Sequence, residues 1–268
     1  VPGTIHQTPG GVALNIARTL AKQGHRPALI AAIGRDAAAK ALVAEIGALG
    51  IDSRFLVRSD TLPTDTYLAI EGANGLIAAI ATAAALESMG MHALAPLHDG
   101  RLGSDVAPWR GAVVLDSGLT PTLISELAHA NWLCAADLRL TAASPVKAAR
   151  LRAFMGRPRC SFYLNLAEAG QICGTPFADS ARAARALLAL GAARVLVTDG
   201  PNAATDADAH VQITRPPPAT APQRVTGAGD LFMAAHIAQE LAGTPRQDAL
   251  DIALRAAAAY VADAPHLS

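Results

Sequence analysis

The chain is poor in aromatic residues, 4% of its 268 positions, so its core cannot rest on stacked rings. Ala, Leu, Val and Ile must fill it instead, and a hydrophobic share of 51% at this length suffices for one large domain, or one with a small appendage. There is no excess of charge of either sign: Lys plus Arg number 22 and Asp plus Glu 22. That excludes a general electrostatic drive toward nucleic acid or a membrane surface, though not a local basic patch. Cysteine is scarce. Cys134, Cys160 and Cys173 are odd in number, widely spaced and without a C-x-x-C pair. This argues against a structural zinc site and a disulfide framework, and fits a reducing cytoplasm. The histidines show no metal-ligand spacing, and Cys160 and Cys173 have no neighbouring sequence partner for nucleophilic catalysis. No apolar run reaches transmembrane length, no signal peptide and no internal repeat is visible, and a G-x-x-x-x-G-K-[ST] phosphate loop is absent.

What is present alternates. Residues 12–23 and 37–49 have helical apolar spacing and end at Gly24 and Gly50, with a short apolar run, 27–33, between them. Further buried strands are expected at 112–115, 132–135, 162–164 and 195–197, with helices at 121–130 and 180–190 among them. Strand–helix alternation at this spacing predicts an α/β fold with a mostly parallel sheet. Residues 54–82 break the pattern. Three short apolar runs, the last two separated by Asn74-Gly75, predict an antiparallel meander that joins 4–8 in a small sheet. Pro216-Pro217-Pro218 marks a stiff loop, read either as plain surface or as the wall of a nucleotide pocket.

Two glycine-rich helix starts carry the chemistry. In Val225-Thr226-Gly227-Ala228-Gly229-Asp230, the glycines let a ligand approach the backbone, and the first N–H groups of the following helix have no partner within it. The helix dipole favours an anion there, and Asp230 adds a carboxylate in the first turn. Donors for a transferring group beside a base suit phosphoryl transfer; the plain alternative is a helix start with a capping Asp. Near the other end of the chain, Gly10-Gly11 precede a helix with Asn15 one turn in, which suits a sugar hydroxyl or simply makes a tight turn.

The two motifs in this order resemble the PfkB/ribokinase family of carbohydrate and nucleoside kinases, over essentially the whole chain. Ile33-Gly34-Arg35-Asp36, Gly50-Ile51-Asp52, Asn165-x-x-Glu168 and Val197-Thr198-Asp199-Gly200 support it. Within the family, Pro2-Gly3-Thr4, Thr64 to Ile70, Ser144-Pro145-Val146-Lys147 and Arg224 to Met233 are most similar to bacterial pseudouridine kinases. The resemblance implies a ribokinase-like three-layer α/β/α sandwich, with a core of 9–53 and 83–268 and a small β-sheet lid of 1–8 and 54–82. It implies transfer of the ATP γ-phosphoryl group to the 5′-hydroxyl of pseudouridine. The rivals are a kinase for another nucleoside or sugar, such as ribose or a ketohexose, and a non-catalytic sensor on the same scaffold.

The resemblance also assigns roles. Asp230 is the base, and the N–H groups of Gly227, Ala228 and Gly229 form the anion hole. Gly10, Gly11, Asn15 and Thr66 bind the substrate, together with Asp230. Asn165, Thr198, Gly200, Thr226, Gly227 and Gly229 contact ATP, and Glu168 serves Mg²⁺ through water. Many members carry an Asp before the glycine run that is linked to a monovalent cation; Arg224-Val225 stand there instead, which leaves K⁺ open. The first strand, which usually supplies an Asp to the sugar, is absent, and a preceding segment is expected. The implied partners are the small-molecule substrate and ATP, with no nucleic acid or membrane, and a homodimer through the lid strands, whose edges a second subunit would hide. Asp199 and Asp206 to Asp208 are read as loop carboxylates, Lys147 as a solvated residue at a helix start, and His25 as suited to a helix C-terminal dipole.

Overall fold

The computed structural model describes residues 7–72 and 75–263. Residues 1–6 and 73–74, and with them most of the expected 4–8 strand and half of the 74–75 turn, lie outside them. The described residues fall into two compact units, one running to Leu94 and one starting at Ala95.

In the first unit, helix α1 (Val12–Lys22), strand β1 (Ala31–Ile33), helix α2 (Ala37–Ala48) and strand β2 (Leu56–Arg58) come first. They are followed by β3 (Tyr67–Gly72), β4 (Gly75–Ala81) and helix α3 (Ala84–Ala93). The expected meander is corrected here. β2 pairs with β1, and in parallel, with Ala31 opposite Leu56. The reason is the intervening helix: α2 provides the crossover a parallel pair needs, and Leu14, Ala17, Leu29, Ile46 and Ile51 form the core beneath it. Of the three strands expected in the meander, β3 and β4 pair antiparallel, and they form a two-stranded sheet of their own.

The motif Gly34-Arg35-Asp36 proves to be a local fastening. The Asp36 carboxylate caps α2 by accepting from Ala39 N at 2.9 Å, and also accepts from Thr64 N at 2.8 Å and Thr64 Oγ1 at 2.6 Å. These bonds, the Thr64 hydroxyl first among them, hold its pKa down at about 2. A Cβ on Gly34 would lie 2.7 Å from Thr64 N, so the close approach requires glycine.

The second unit contains β5 (Ala112–Asp116), α4 (Pro121–His129), β6 (Asp137–Thr141), α5 (Pro145–Ala148), β7 (Cys160–Asn165) and α6 (Leu166–Cys173). Then come α7 (Ser180–Ala189), β8 (Arg194–Asp199), β9 (Asn202–Asp208), β10 (Gln212–Arg215), α8 (Ala228–Leu241) and α9 (Arg246–Ala262). Its six strands lie in the order β10-β9-β8-β7-β6-β5. β5 to β8 are parallel, while β9 and β10 are antiparallel additions that the sequence did not announce. The strand expected at 132–135 is a correction too: Asn131–Leu133 is a 3₁₀ turn that buries Trp132 and Leu133, and the strand begins at Asp137.

Register explains why β6 was hidden. Arg139 lies opposite Ser161, which lies opposite Arg194, while Tyr163 lies opposite Leu196, which lies opposite Asp206. With side chains alternating between faces, one face of the sheet is therefore unusually polar, and the other carries Leu138, Leu140, Phe162, Val195 and Val197. α7 packs on the apolar face, where Ser180 Oγ meets Thr205 Oγ1 at 2.9 Å. α8 covers the polar face, where His236 Nδ1 meets the Tyr163 hydroxyl at 3.0 Å. The result is helix, sheet and helix in three layers, a ribokinase-like α/β fold with a small antiparallel sheet elsewhere in the chain.

Asp206, expected as a loop carboxylate, lies instead in β9. It is fully buried (0% exposed) and accepts from Arg194 Nη2 at 2.6 Å and from Arg246 Nη2 at 2.6 Å. Glu240 on α8 accepts from Arg194 at 2.5 Å and also from Arg139, while Arg139 reaches Asp137 at 2.6 Å. Asp208 pairs with Arg246. These charges satisfy one another, which is what their burial demands.

Candidate active site

A cleft of about 220 Å³ opens where β6, β7 and β8 end. Thr141 and Asn165 are the last residues of their strands, and Thr198 is the last but one of β8. The N-terminus of α8 supplies the opposite lining, with Gly227, Gly229, Asp230 and Phe232. A site beyond the carboxyl ends of parallel strands is where open α/β sheets place their ligands.

Asn165 and Glu168 sit at the start of α6 and cap it reciprocally. Glu168 N donates to Asn165 Oδ1 at 2.9 Å, and Asn165 N donates to Glu168 Oε2 at 2.8 Å. Such a capping box needs Asn or a similar side chain followed three residues later by Glu or Gln, and that local rule places both side chains. Burial pushes the Glu168 carboxyl up to about 7, with the nearby Asp230 charge adding to the rise and the Asn165 N–H opposing it.

Gly227 is the N-cap of α8 and has φ +88°, a backbone conformation that glycine adopts without strain. Ala228 N donates to Val225 O at 3.1 Å, so of the three expected anion-hole donors this one is engaged in a turn. The Gly229 amide follows in the first turn, where an α-helix has no carbonyl of its own to offer. Asp230 lies in that turn, at the positive end of the helix dipole.

The cleft thus brings together Asn165, Glu168, Thr198, Gly227, Gly229 and Asp230. Thr226 and Ala228 belong to the same turn, and Gly200 makes the β8–β9 turn with φ +53°. Gly10, Gly11, Asn15 and Thr66 are in the other compact unit. Gly11 caps α1, where Asn15 N donates to Gly11 O at 2.9 Å and Asn15 Oδ1 accepts from Arg18 Nη1 at 3.2 Å. Thr66 is exposed at the mouth of the β3–β4 hairpin, its amide donating to Thr82 Oγ1 at 2.8 Å. Sequence reasoning missed Thr141, Tyr163 and Phe232 as cleft residues, because an isolated Thr or aromatic residue in an apolar run carries no signal of where it will point.

Against known proteins, the pfkB family carbohydrate kinase description matches residues 1–264, nearly the whole chain. The chain belongs to the PfkB family of carbohydrate kinases. The uncharacterized sugar kinase YeiI of Escherichia coli strain K12 is 42% identical over 69 residues, which is 26% of this chain and only 19% of that relative's length. A putative sugar kinase from Clostridium perfringens superposes with TM-score 0.80 at 22% identity, covering 100% of this chain and 84% of its own. Arabidopsis thaliana ribokinase, complexed with ribose and ATP, gives TM-score 0.74 at 19% identity over 94% of this chain and 81% of its own. At these identities the structures speak for the fold.

Arg224, on the flank of the glycine run, faces the C-terminal end of α9: its Nε donates to Tyr260 O at 2.9 Å. The last carbonyls of a helix are unpaired and carry the negative end of its dipole, so a cation suits that position and a carboxylate does not.

Proposed function

We propose that the protein is an ATP-dependent kinase that phosphorylates the 5′-hydroxyl of pseudouridine. The observation that carries the kinase reading is the cleft at the ends of β6 to β8, where a helix N-terminus and two carboxylates, Asp230 and Glu168, share one wall system. Phosphoryl transfer needs alignment and charge neutralisation more than covalent chemistry, and those are the resources this cleft offers.

In this reading Asp230 accepts the proton of the attacking hydroxyl, and the amides of Gly227 and Gly229 receive the charge that builds on the transferring group. Ala228 joins them once its turn bond to Val225 opens. Asn165, Thr198, Gly200 and Thr226 contact ATP, while Gly10, Gly11 and Asn15 bind the nucleoside ribose and Thr66 also contacts the substrate. Residues 1–8 and 54–82 act as a lid that excludes water, on a core of 9–53 and 83–268.

Two carboxylates in one cleft, one with its pKa raised by burial and by the other's charge, are a fitting environment for a divalent cation. Among the described residues no cluster of three His, Cys, Asp or Glu side chains exists to cage a metal. That combination suits Mg²⁺ held by waters and substrate phosphates with Glu168 behind them, where it would neutralise phosphate charge. Arg224 at the usual acidic position argues for activity without K⁺. The exposed Leu68, Ile70, Ile77 and Ile80 of the hairpin support a homodimer through that sheet, and the three free cysteines support a cytoplasmic setting.

The deciding experiment is side-by-side turnover of pseudouridine, uridine, ribose and fructose with Mg²⁺-ATP. Pseudouridine should give the highest kcat/KM. A higher value for ribose or fructose moves the assignment to a sugar kinase, and no turnover of any acceptor leaves a binding protein on a kinase scaffold. Solution scattering at micromolar concentration should show a dimer; a monomer removes the lid-sheet interface.

A further inference from the structure

The glycine turn at the start of α8 is fastened from outside, by the end of α9. Gln223 N and Arg224 N donate to Val261 O at 2.8 and 3.3 Å, and Arg224 Nε to Tyr260 O at 2.9 Å. These bonds use carbonyls that the last turn of α9 leaves unpaired. The Arg224 guanidinium lies 3.7 Å from the centre of the Tyr260 ring and 3.4 Å from Asp263 Oδ2. The arginine therefore braces the ring from one side. The Tyr260 hydroxyl, held in this way, donates to Thr226 O at 2.9 Å. The same hydroxyl lies 2.8 Å from where a Cβ on Gly227 would be.

Thr226 O and Gly227 N–H belong to one peptide plane. Because the plane is rigid and trans, fixing the carbonyl direction fixes the N–H in the opposite direction. Gly227 is the residue at which such a plane turns over most easily, since glycine populates positive and negative φ alike. A lock on this plane is therefore a lock on a cleft amide.

We propose that Tyr260 and Arg224 are positioning residues for the transfer step: the Tyr260 hydroxyl, braced by Arg224, holds the Thr226–Gly227 peptide so that the Gly227 N–H stays aimed for the transferring group. Neither side chain touches substrate; both act through Thr226 and Gly227. The inference rests on the kinase reading above. It adds that a tyrosine hydroxyl remote in sequence from the glycine motif sets the rate of transfer and leaves substrate affinity alone. A donor that stabilises charge only as it develops contributes to kcat and little to KM.

The test is Tyr260→Phe, which keeps the ring and its stacking and removes only the hydroxyl. With the best acceptor of the wild type, kcat should fall about tenfold while KM for ATP and for acceptor stays within about twofold. The thermal midpoint should stay near that of the wild type, and backbone hydrogen exchange over residues 223–231 should quicken. Arg224→Gln should lower kcat less, and the double variant should lose less than the product of the two single losses, because both act on one peptide plane. Unchanged kcat in Tyr260→Phe overturns the inference, as does a rise in KM at constant kcat, or a fall in kcat that only tracks lost folded protein. Wild-type enzyme inactive on every acceptor fails the kinase reading itself, and the positioning role with it.

Discussion

The two ends of α8 are held by different physics. Its C-terminal half is anchored: His236 and Ile237 have at most 1% exposure, and Glu240 sits in a web of Arg139, Arg194, Asp206 and Arg246 reaching three strands and α9. Its N-terminal turn is half-exposed, built on a left-handed glycine, and tied by a tyrosine hydroxyl and a few backbone bonds. The buried end fixes where the helix lies. The open end keeps amides and a carboxylate facing a cleft, where a ligand can take the place of water. An arrangement equally rigid at both ends would leave no room for the acceptor, and one equally open would not hold Asp230 at a defined distance from the strand ends.

The comparison breaks most sharply at Asp230. If the open end does chemistry, Asp230→Asn should lower kcat by about 10²- to 10⁴-fold while the affinity for a non-hydrolysable ATP analogue, read by calorimetry, is retained. Unchanged turnover removes Asp230 as the base.

The buried end should show itself in stability. Asp206→Ala strands the Arg194 and Arg246 guanidinium groups beside a fully buried position, and a cost of about 3–5 kcal/mol is expected in urea unfolding. A loss below about 1 kcal/mol, the size of a surface ion pair, would mean that the web is not what secures the helix. His236 belongs to the same buried end, where burial depresses its pKa to about 4 and leaves it neutral against the Tyr163 hydroxyl.

Glu168 tests the boundary between the two regimes. Its folded pKa, about 7, is raised from an ordinary 4.5, so the folded state binds the proton more tightly than the unfolded chain. The stability this contributes is complete below about pH 4.5 and is lost as pH rises through about 7, a swing on the order of 3 kcal/mol at most. Glu168→Gln retains an acceptor for the Asn165 N–H and does not titrate. Without divalent cation, wild-type stability should therefore fall relative to Glu168→Gln between pH 5 and pH 8, and added Mg²⁺ should reduce the difference. A gap independent of pH would show that the carboxyl is already ionised throughout.

The smallest effect concerns the flank of the turn. With Arg224 directed into the α9 carbonyls, replacing K⁺ by tetramethylammonium at constant ionic strength should change turnover by less than about twofold. A tenfold loss would place a cation site beside the glycine run after all.

The sequence made the fastenings legible wherever a rule is local. Gly227 to Asp230 were expected to start a helix and do; Asn165 and Glu168, expected only as ligand contacts, also form a capping box, and Asp36, expected only as part of a family motif, is an N-cap, both within reach of a local spacing rule. The alternation of strands and helices was enough for the fold class. It failed at Asp137–Thr141 and Asn202–Asp208, where charged residues interrupt the apolar run that marks a buried strand. It failed again at Leu56–Arg58, where pairing direction is a property of two segments and not of one.

By itself, then, the chain determined its helix starts, its turns and the identity of the groups able to take an anion and a proton, because each depends on residues within a few positions of one another. Tertiary structure decided that Asp206 would be buried between two arginines, that Thr141, Asn165 and Thr198 would end on one rim, and that Tyr260 would reach the peptide before Gly227. Those outcomes follow from strand register and helix packing, where a charge is satisfied by partners far off in sequence. No local pattern encodes which partners arrive.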